Sequence, residues 1–164
     1  MGQYVVDSNF FIQAHRIIYP LDVAASFWNK LKQLADERKI ISIDKVKNEL
    51  YHNDDALKQW CEANLPGDFF KETSQVLPAY GRIVSWAMSK SSHYLQKALD
   101  EFMDADEADA WLVAYALTYN DTVVTHEVSE PNRKSKIKIP DVCISLGVQY
   151  TNTIEMFRQL RERF

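Results

Sequence analysis

Glycine is scarce in this chain of 164 residues, which has only Gly2, Gly67, Gly81 and Gly147. These four glycines are too scattered to form a GxGxxG loop or a P-loop, the turns that cradle nucleotide phosphates. The sequence therefore argues against dinucleotide binding and against Walker-type nucleotide binding.

Cysteine is scarcer still, and no apolar run is long enough to span a membrane. Cys61 and Cys143 have no CxxC spacing, so we expect two buried, reduced thiols rather than a disulfide framework. The start of the chain lacks the basic and apolar regions of a signal peptide. We therefore expect a soluble, cytoplasmic protein that does not contact membranes.

The overall charge is mildly acidic. Nineteen Lys and Arg stand against 23 Asp and Glu, which gives a formal net charge of −4. This balance argues against a surface that binds nucleic acid all over, although it leaves room for a local basic patch. Hydrophobic residues make up 46% of the chain, which is typical of a folded globular domain.

Strand-like and helix-like segments alternate along the chain. We predict strands at residues 4–6, 40–43, 122–125 and 147–150, with a further short strand at 69–72. A continuous helical pattern covers 77–103, and an uncharged apolar helix covers 108–119. The alternation predicts an α/β fold with a mostly parallel sheet of four or five strands. We expect a single domain over 1–164, with an enlarged helical region at about 54–103.

Acidic residues occur where ligands bind in such folds, beyond the carboxyl ends of the strands. Asp7 directly follows the first strand, although an acid at this position also commonly caps the next helix. Glu49 borders the apolar face of the helix after the second strand, where it could equally extend to solvent. Asp109 lies at the start of the apolar helix, and burying an unpaired carboxylate there is costly. We predict that Asp106 or a neighbour caps this helix.

These acids have no basic residue beside them in sequence. Carboxylates gathered without cations are typical of a site for Mg²⁺ or Mn²⁺, which prefer oxygen ligands. A zinc site is disfavoured because the histidines show no ligand spacing. These histidines are His15, His52, His93 and His126.

Four segments, VVDSNFFI at 5–12, VKNEL at 46–50, ADAWLVAYA at 108–116 and VVTHE at 123–127, occur in the order of a PIN domain. The chain resembles PIN-like nucleases of the toxin–antitoxin type. It is similar in particular to an uncharacterised PIN-like family whose members end in a string like the IPDVC at 139–143. The resemblance implies a three-layer α/β/α fold and metal-dependent ribonuclease activity.

The resemblance also implies roles for particular residues. Asp7, Glu49 and Asp109 match the three most regular acidic positions of PIN domains. At the fourth position Glu127 replaces the usual Asp, and Asp141 either takes over or shares that role. Supporting polar residues would be Ser8, Asn9, Thr125 and Asp106.

The implied reaction is hydrolysis of RNA phosphodiesters with one or two Mg²⁺ or Mn²⁺ ions. A basic segment just beyond Glu127 would contact phosphates, although charge runs of this kind are usually solvent-facing. Its cations are Arg133, Lys134, Lys136 and Lys138. The expected partners are an RNA substrate, a protein antitoxin and a second copy of the chain. Two alternatives stay open: a DNA-directed nuclease, and a catalytically silent scaffold that binds a protein partner.

Overall fold

The computed structural model describes residues 2–164, in which five strands form one sheet. The strand order is β3-β2-β1-β4-β5, and every neighbouring pair is parallel. The strands are β1 (Tyr4–Val6), β2 (Ile40–Ile43), β3 (Phe70–Lys71), β4 (Thr122–Val124) and β5 (Tyr150–Thr151). The predicted α/β class and parallel sheet are therefore confirmed.

Helices occupy most of the chain between the strands. The α-helices are α1 (Ser8–Gln13), α2 (Ala25–Asp36), α3 (Asp44–Leu50), α4 (Ala56–Asn64), α5 (Leu77–Ser89), α6 (Gln96–Met103), α7 (Ala108–Tyr119), α8 (Ile139–Leu146) and α9 (Thr153–Leu160). A π-helical turn, Ala14–Ile18, continues α1, and a 3₁₀ turn, Ser74–Val76, precedes α5. Within residues 2–164, no helix combines the length and the apolar character needed to cross a membrane.

Both faces of the sheet are covered by other elements. Val5 and Val6 are successive residues of β1, so their side chains point to opposite faces, and both are fully buried. All four residues of β2 are buried as well. The polar one, Ser42, donates its hydroxyl to the carbonyl oxygen of Val6 at 2.6 Å. Burial on both faces is typical of a parallel sheet between two helical layers, and the fold is PIN-like.

Helix α7 is the most buried helix of the site region. Eight of its twelve residues are buried, and they are distributed around the whole helix: Ala108, Ala110, Trp111, Leu112, Val113, Ala114, Tyr115 and Ala116. The uncharged sequence of this segment predicts such burial, and the prediction is confirmed. The start of α7 therefore holds Asp109 at the boundary of the protein interior.

The predicted helix over 77–103 is wrong in one respect, because the structure divides it into α5 and α6. Leu95 has extended backbone, and its N–H donates to the carbonyl oxygen of Lys134 at 2.9 Å instead of continuing the helix. A second difference concerns the last strand. Gly147 adopts φ +70° and ends α8, so β5 begins at Tyr150 rather than at 147.

Candidate active site

The site lies between β1 and β4, where the strand order changes direction. The chain continues from β1 to β2 on one side of β1, and β4 lies on its other side. The carboxyl ends of β1 and β4 therefore border a crevice. The backbone N–H of Asp7 donates to the carbonyl oxygen of Val124 at 3.1 Å across this crevice. The residues that follow the two strands are therefore held together by the sheet itself.

A short hydrogen-bond chain links the two strand ends. The Thr125 hydroxyl donates to Asp7 Oδ2 at 3.0 Å, and the backbone N–H of Glu127 donates to the Thr125 hydroxyl at 3.1 Å. Thr125 and Asp7 are both buried. Thr125 therefore fixes the orientation of the Asp7 carboxylate, in keeping with the supporting role that the sequence predicts for it.

Asp7 is also the N-cap of α1, as the alternative interpretation of this residue predicts. Its Oδ1 accepts hydrogen bonds from the backbone N–H of Asn9 at 3.0 Å and from the Ser8 hydroxyl at 3.2 Å. The Asn9 contact comes from the backbone, whereas Ser8 contributes its side chain. The Asp7 carboxylate therefore caps α1 and also lies at the crevice.

Glu49 reaches the crevice from α3 and meets the start of α7. Its Oε1 accepts a hydrogen bond from the backbone N–H of Ala108 at 3.3 Å. Burial raises the pKa of Glu49, and the negative charge of Asp7 adds to the rise, while the hydrogen bond from the Ala108 backbone partly offsets it. Glu49 is therefore a half-buried carboxylate at the positive end of the α7 dipole.

Asp109 has the most perturbed titration of the site. Burial raises its pKa well above the usual range, and the charges of Asp7, Glu127 and Glu49 raise it further. Lys136 acts in the opposite direction. Within residues 2–164 the Asp109 carboxylate accepts no hydrogen bond, so the protein itself offers little compensation for its charge.

We call Asp7, Glu49, Asp109 and Glu127 the acid cluster. Glu127 accepts a hydrogen bond at Oε1 from the backbone N–H of Ile139 at 2.9 Å, and its Oε2 lies 3.9 Å from Lys136 Nζ. No three His, Cys, Asp or Glu side chains among residues 2–164 converge closely enough to form a ready metal-binding group. The charges of the other three members raise the pKa of Asp109, but the four carboxylates do not close around a single point.

Asp141 makes its hydrogen bonds to residues outside the acid cluster. It is buried, its Oδ1 accepts from the Ser129 hydroxyl at 2.5 Å, and its Oδ2 accepts from the backbone N–H of Glu130 at 3.0 Å. Its carboxylate therefore holds the segment after β4 in place.

Asp106 is exposed and contributes no side-chain hydrogen bond to the cluster. The predicted capping of α7 by Asp106 is wrong, and no neighbouring acid takes its place, because the N-cap is Glu107 and its side chain makes no capping bond. The carboxylate that accepts an N–H at this helix end comes instead from Glu49, on a different helix.

Three of the four cations in the basic segment face carboxylates. Arg133 and Lys138 lie 3.2 and 3.7 Å from oxygens of Glu130, and Lys136 faces Glu127. Lys134 forms no ion pair within the described part of the chain. The segment borders the acid cluster, as its position after Glu127 predicts.

His126 lies next to the candidate site, and the sequence does not predict this position. Its Nε2 lies 3.4 Å from the Thr153 hydroxyl. Burial lowers the pKa of His126, and the charge of Asp7 counteracts this effect. The only sequence signal is its place between Thr125 and Glu127, since the partner Thr153 is 27 residues away.

Comparisons with known proteins agree with the fold. The chain is similar to a chain of VapBC2 from Rickettsia felis, solved as a crystal structure bound to a DNA fragment from their promoter. The two are 16% identical, the match covers 92% of this chain and 98% of that one, and the TM-score is 0.54. No curated protein matches the sequence. Residues 4–164 match the family model described as "Domain of unknown function (DUF4411)", and the chain therefore belongs to that family.

Proposed function

We propose that this protein is a metal-dependent endoribonuclease that hydrolyses RNA phosphodiesters and acts as the toxin of a toxin–antitoxin pair. The observation that carries the proposal is the environment of Asp109. Its half-buried carboxylate accepts no hydrogen bond from any residue of 2–164 and lies among three further carboxylates at the crevice between β1 and β4. Perturbed acids in such a crevice are a recognised signal of a functional site.

The chemistry of the donor set fits Mg²⁺ or Mn²⁺. All four members of the acid cluster offer carboxylate oxygens, the ligands that these hard cations prefer. When bound, such an ion lowers the pKa of water and neutralises charge on a phosphodiester. Because no three donors converge in the described part of the chain, side chains of the cluster must shift to bind an ion.

The chain's own residues have separable tasks in this proposal. Asp7, Glu49 and Asp109 would hold the ion, with Glu127 or Asp141 as the fourth acid; Thr125 orients Asp7 through its hydroxyl hydrogen bond. Of the two candidates for the fourth acid, Glu127 is favoured because its charge reaches Asp109. Lys134 and Lys136 would contact substrate phosphates, which position a strand without reading its sequence. Ser8 steadies Asp7 from the opposite side to Thr125.

The same open geometry favours a second candidate, a catalytically silent domain that binds a protein partner. A domain that never binds metal has no need of converging donors. The similar structure belongs to a complex named VapBC2 on promoter DNA, so a protein partner and DNA as substrate are both worth testing. We expect an antitoxin and a second copy of the chain as the protein partners.

Cleavage assays separate these candidates. The purified protein, free of any antitoxin, is incubated with single-stranded RNA, structured tRNA and DNA in Mn²⁺, Mg²⁺ or chelator. We expect RNA cleavage in Mn²⁺ or Mg²⁺ only, abolished in Asp109→Asn and retained in the matched control Asp106→Asn. If none of the substrates is cleaved in either metal, the nuclease proposal fails and the silent domain is favoured.

A further inference from the structure

A groove of about 760 Å³ lies at the carboxyl ends of β4 and β5, directly beside the acid cluster. Thr125 and Glu127 line it and also belong to the hydrogen-bond chain that holds Asp7. The groove therefore opens onto the candidate active site. Its volume is within the range of small-molecule sites in proteins.

The exposed margin of the groove is unusually apolar. Ile18, Val128, Tyr150 and Ile154 line it, and between 39% and 66% of each residue is exposed. Isolated exposed apolar side chains are common, but a gathering of four around one concave surface usually marks a binding site. The apolar character and the aromatic ring of Tyr150 suit the flat face of a nucleobase.

The deeper part of the groove is polar. Three buried threonines, Thr125, Thr151 and Thr153, line it together with the half-buried His126, and the exposed Asn152 lies beside them. The Thr151 hydroxyl makes no hydrogen bond within residues 2–164, and the Asn152 carboxamide oxygen accepts from Glu155 N–H, which leaves its NH₂ group available. Hydrogen-bonding groups beneath apolar walls match the edge and the faces of a base. A groove for a partner helix would be apolar along its depth.

The charged side chains indicate that a base and a phosphate would bind at different places. Arg158 is the cation of the groove lining, and it is paired with Glu155. In the basic segment, Lys136 lies 3.9 Å from Glu127, and Lys134 forms no ion pair within residues 2–164. Among the described residues, the cation that lines the groove is therefore already paired with a carboxylate, whereas Lys134 of the basic segment is available to a phosphate.

We propose that this groove binds one unpaired base of the substrate strand, next to the phosphodiester held at the acid cluster. The inference rests on the proposed nuclease function and deepens it, because it names single-stranded nucleic acid as the substrate class. A base within a duplex is paired and stacked, so it cannot enter a groove of this shape. Recognition of splayed-out bases by stacking and edge hydrogen bonds is how proteins bind single strands.

Binding without catalysis tests the groove. A fluorescein-labelled single-stranded RNA of eight nucleotides is titrated with the full-length protein in EDTA, and fluorescence anisotropy gives Kd. Tyr150→Ala is compared with Tyr119→Ala, and Ile154→Ala with Ile144→Ala. These controls remove side chains of the same type that are more exposed and lie outside the groove. We expect Tyr150→Ala to weaken binding about 5- to 150-fold, the range for losing one base–aromatic stack, and the controls to stay within twofold.

The same RNA in a duplex should bind more weakly than the single strand. Equal affinity for both forms, or equal Kd for groove and control variants, would overturn the proposal. Groove variants that bind RNA normally but lose a co-purifying protein would assign the groove to that protein and also overturn it. Thermal melts of every variant establish that the fold is intact.

Cleavage kinetics distinguish this proposal from the proposed function. In Mn²⁺ the groove variants should raise KM at least fivefold and leave kcat within about threefold of wild type. Cleavage with unchanged KM would refute the groove while the nuclease function stands. Groove-dependent binding without any cleavage would refute the nuclease function while the base site stands.

Discussion

Neutralising Asp109 should stabilise the protein in the absence of metal. In the folded state its ionised carboxylate is desolvated and lies among the charges of Asp7, Glu49 and Glu127, which raises its pKa. The substitution Asp109→Asn keeps the shape and removes the charge. Because the carboxylate accepts no hydrogen bond within residues 2–164, the substitution costs no existing bond, and the neighbouring carboxylates can accept from the new NH₂ group.

The size of the effect follows from the pKa difference between folded and unfolded states. Each unit by which the folded pKa exceeds the unfolded value lowers the free energy of unfolding by about 1.4 kcal/mol once both states are ionised. For a domain of this length, that corresponds to roughly 3–6 °C in Tm per unit. The ammonium of Lys136 attracts the Asp109 carboxylate and so reduces its repulsion by the other acids. The gain in unfolding free energy from Asp109→Asn is smaller by that attraction.

The pH dependence has a definite sign. A carboxyl whose folded pKa is raised binds its proton more tightly in the folded state, so its favourable contribution is complete below the unfolded pKa. That contribution is lost as the pH rises through the folded pKa. Asp109 and Glu49 both act in this direction. The exposed Asp68 and the half-buried Glu162, whose pKa values are lowered by hydrogen-bonded ion pairs, act in the opposite direction in every variant.

Scanning calorimetry in EDTA between pH 4.5 and 8 measures this difference. We expect the Tm advantage of Asp109→Asn over wild type to grow with pH, while the exposed control Asp106→Asn follows wild type at every pH. An Asp109→Asn protein that melts below wild type across the range would refute the reasoning, because it would show that the carboxylate stabilises the fold.

Four further predictions concern the site. Asp7→Asn should abolish RNA cleavage with an unchanged circular dichroism spectrum, and a wild-type rate would leave Asp7 as a helix cap only. Glu127→Gln should impair cleavage. Asp141→Asn should lower the free energy of unfolding by about 1–3 kcal/mol, because it loses a hydrogen-bond acceptor, and should leave the cleavage rate unchanged. The reverse pattern would make Asp141 the fourth acid. Lys134→Ala should reduce the slope of log K against log salt for single-stranded RNA by about 0.7, and an unchanged slope would make Lys134 a solvent-facing residue. Mn²⁺ at about 100 times its Kd should add about 2.7 kcal/mol to the unfolding free energy of wild type and clearly less to Asp109→Asn, and equal gains would place the metal elsewhere.

The fold could be predicted from sequence where one physical signal dominates a segment. The uncharged run at 110–119 admits few outcomes other than a buried helix, and α7 is that helix. The sequence predictions fail where a contact between residues far apart in the chain determines the local structure. The helix break before α6 depends on Leu95 N–H bonding to Lys134, a residue 39 positions along the chain, and no local pattern encodes that contact.

Ligands of parallel sheets bind beyond the carboxyl ends of the strands, and this rule predicts that Asp7 and the residues after β4 border the same crevice. The structure places Thr125 and Asp7 in direct contact there. Glu49 also meets the start of α7, as an acid on the apolar border of its helix can. The rule says nothing about side-chain orientation, so it cannot show whether four carboxylates converge on one point. In the structure they do not.

The choice between Glu127 and Asp141 shows what the sequence leaves open and how the structure narrows it. Both acids follow β4, and Asp141 stands in the family-like IPDVC string, so position alone favours neither. In the structure the two Asp141 oxygens are occupied by Ser129 and Glu130, which anchor the segment after Glu127. Glu127 uses one oxygen to hold the start of α8 and presents the other towards Lys136. Glu127 Oε2 accepts no hydrogen bond within residues 2–164, and the charge of Glu127 reaches Asp109, so Glu127 can take part in ion binding. Asp141, with a hydrogen bond to each oxygen, can do so only if the loop it anchors moves.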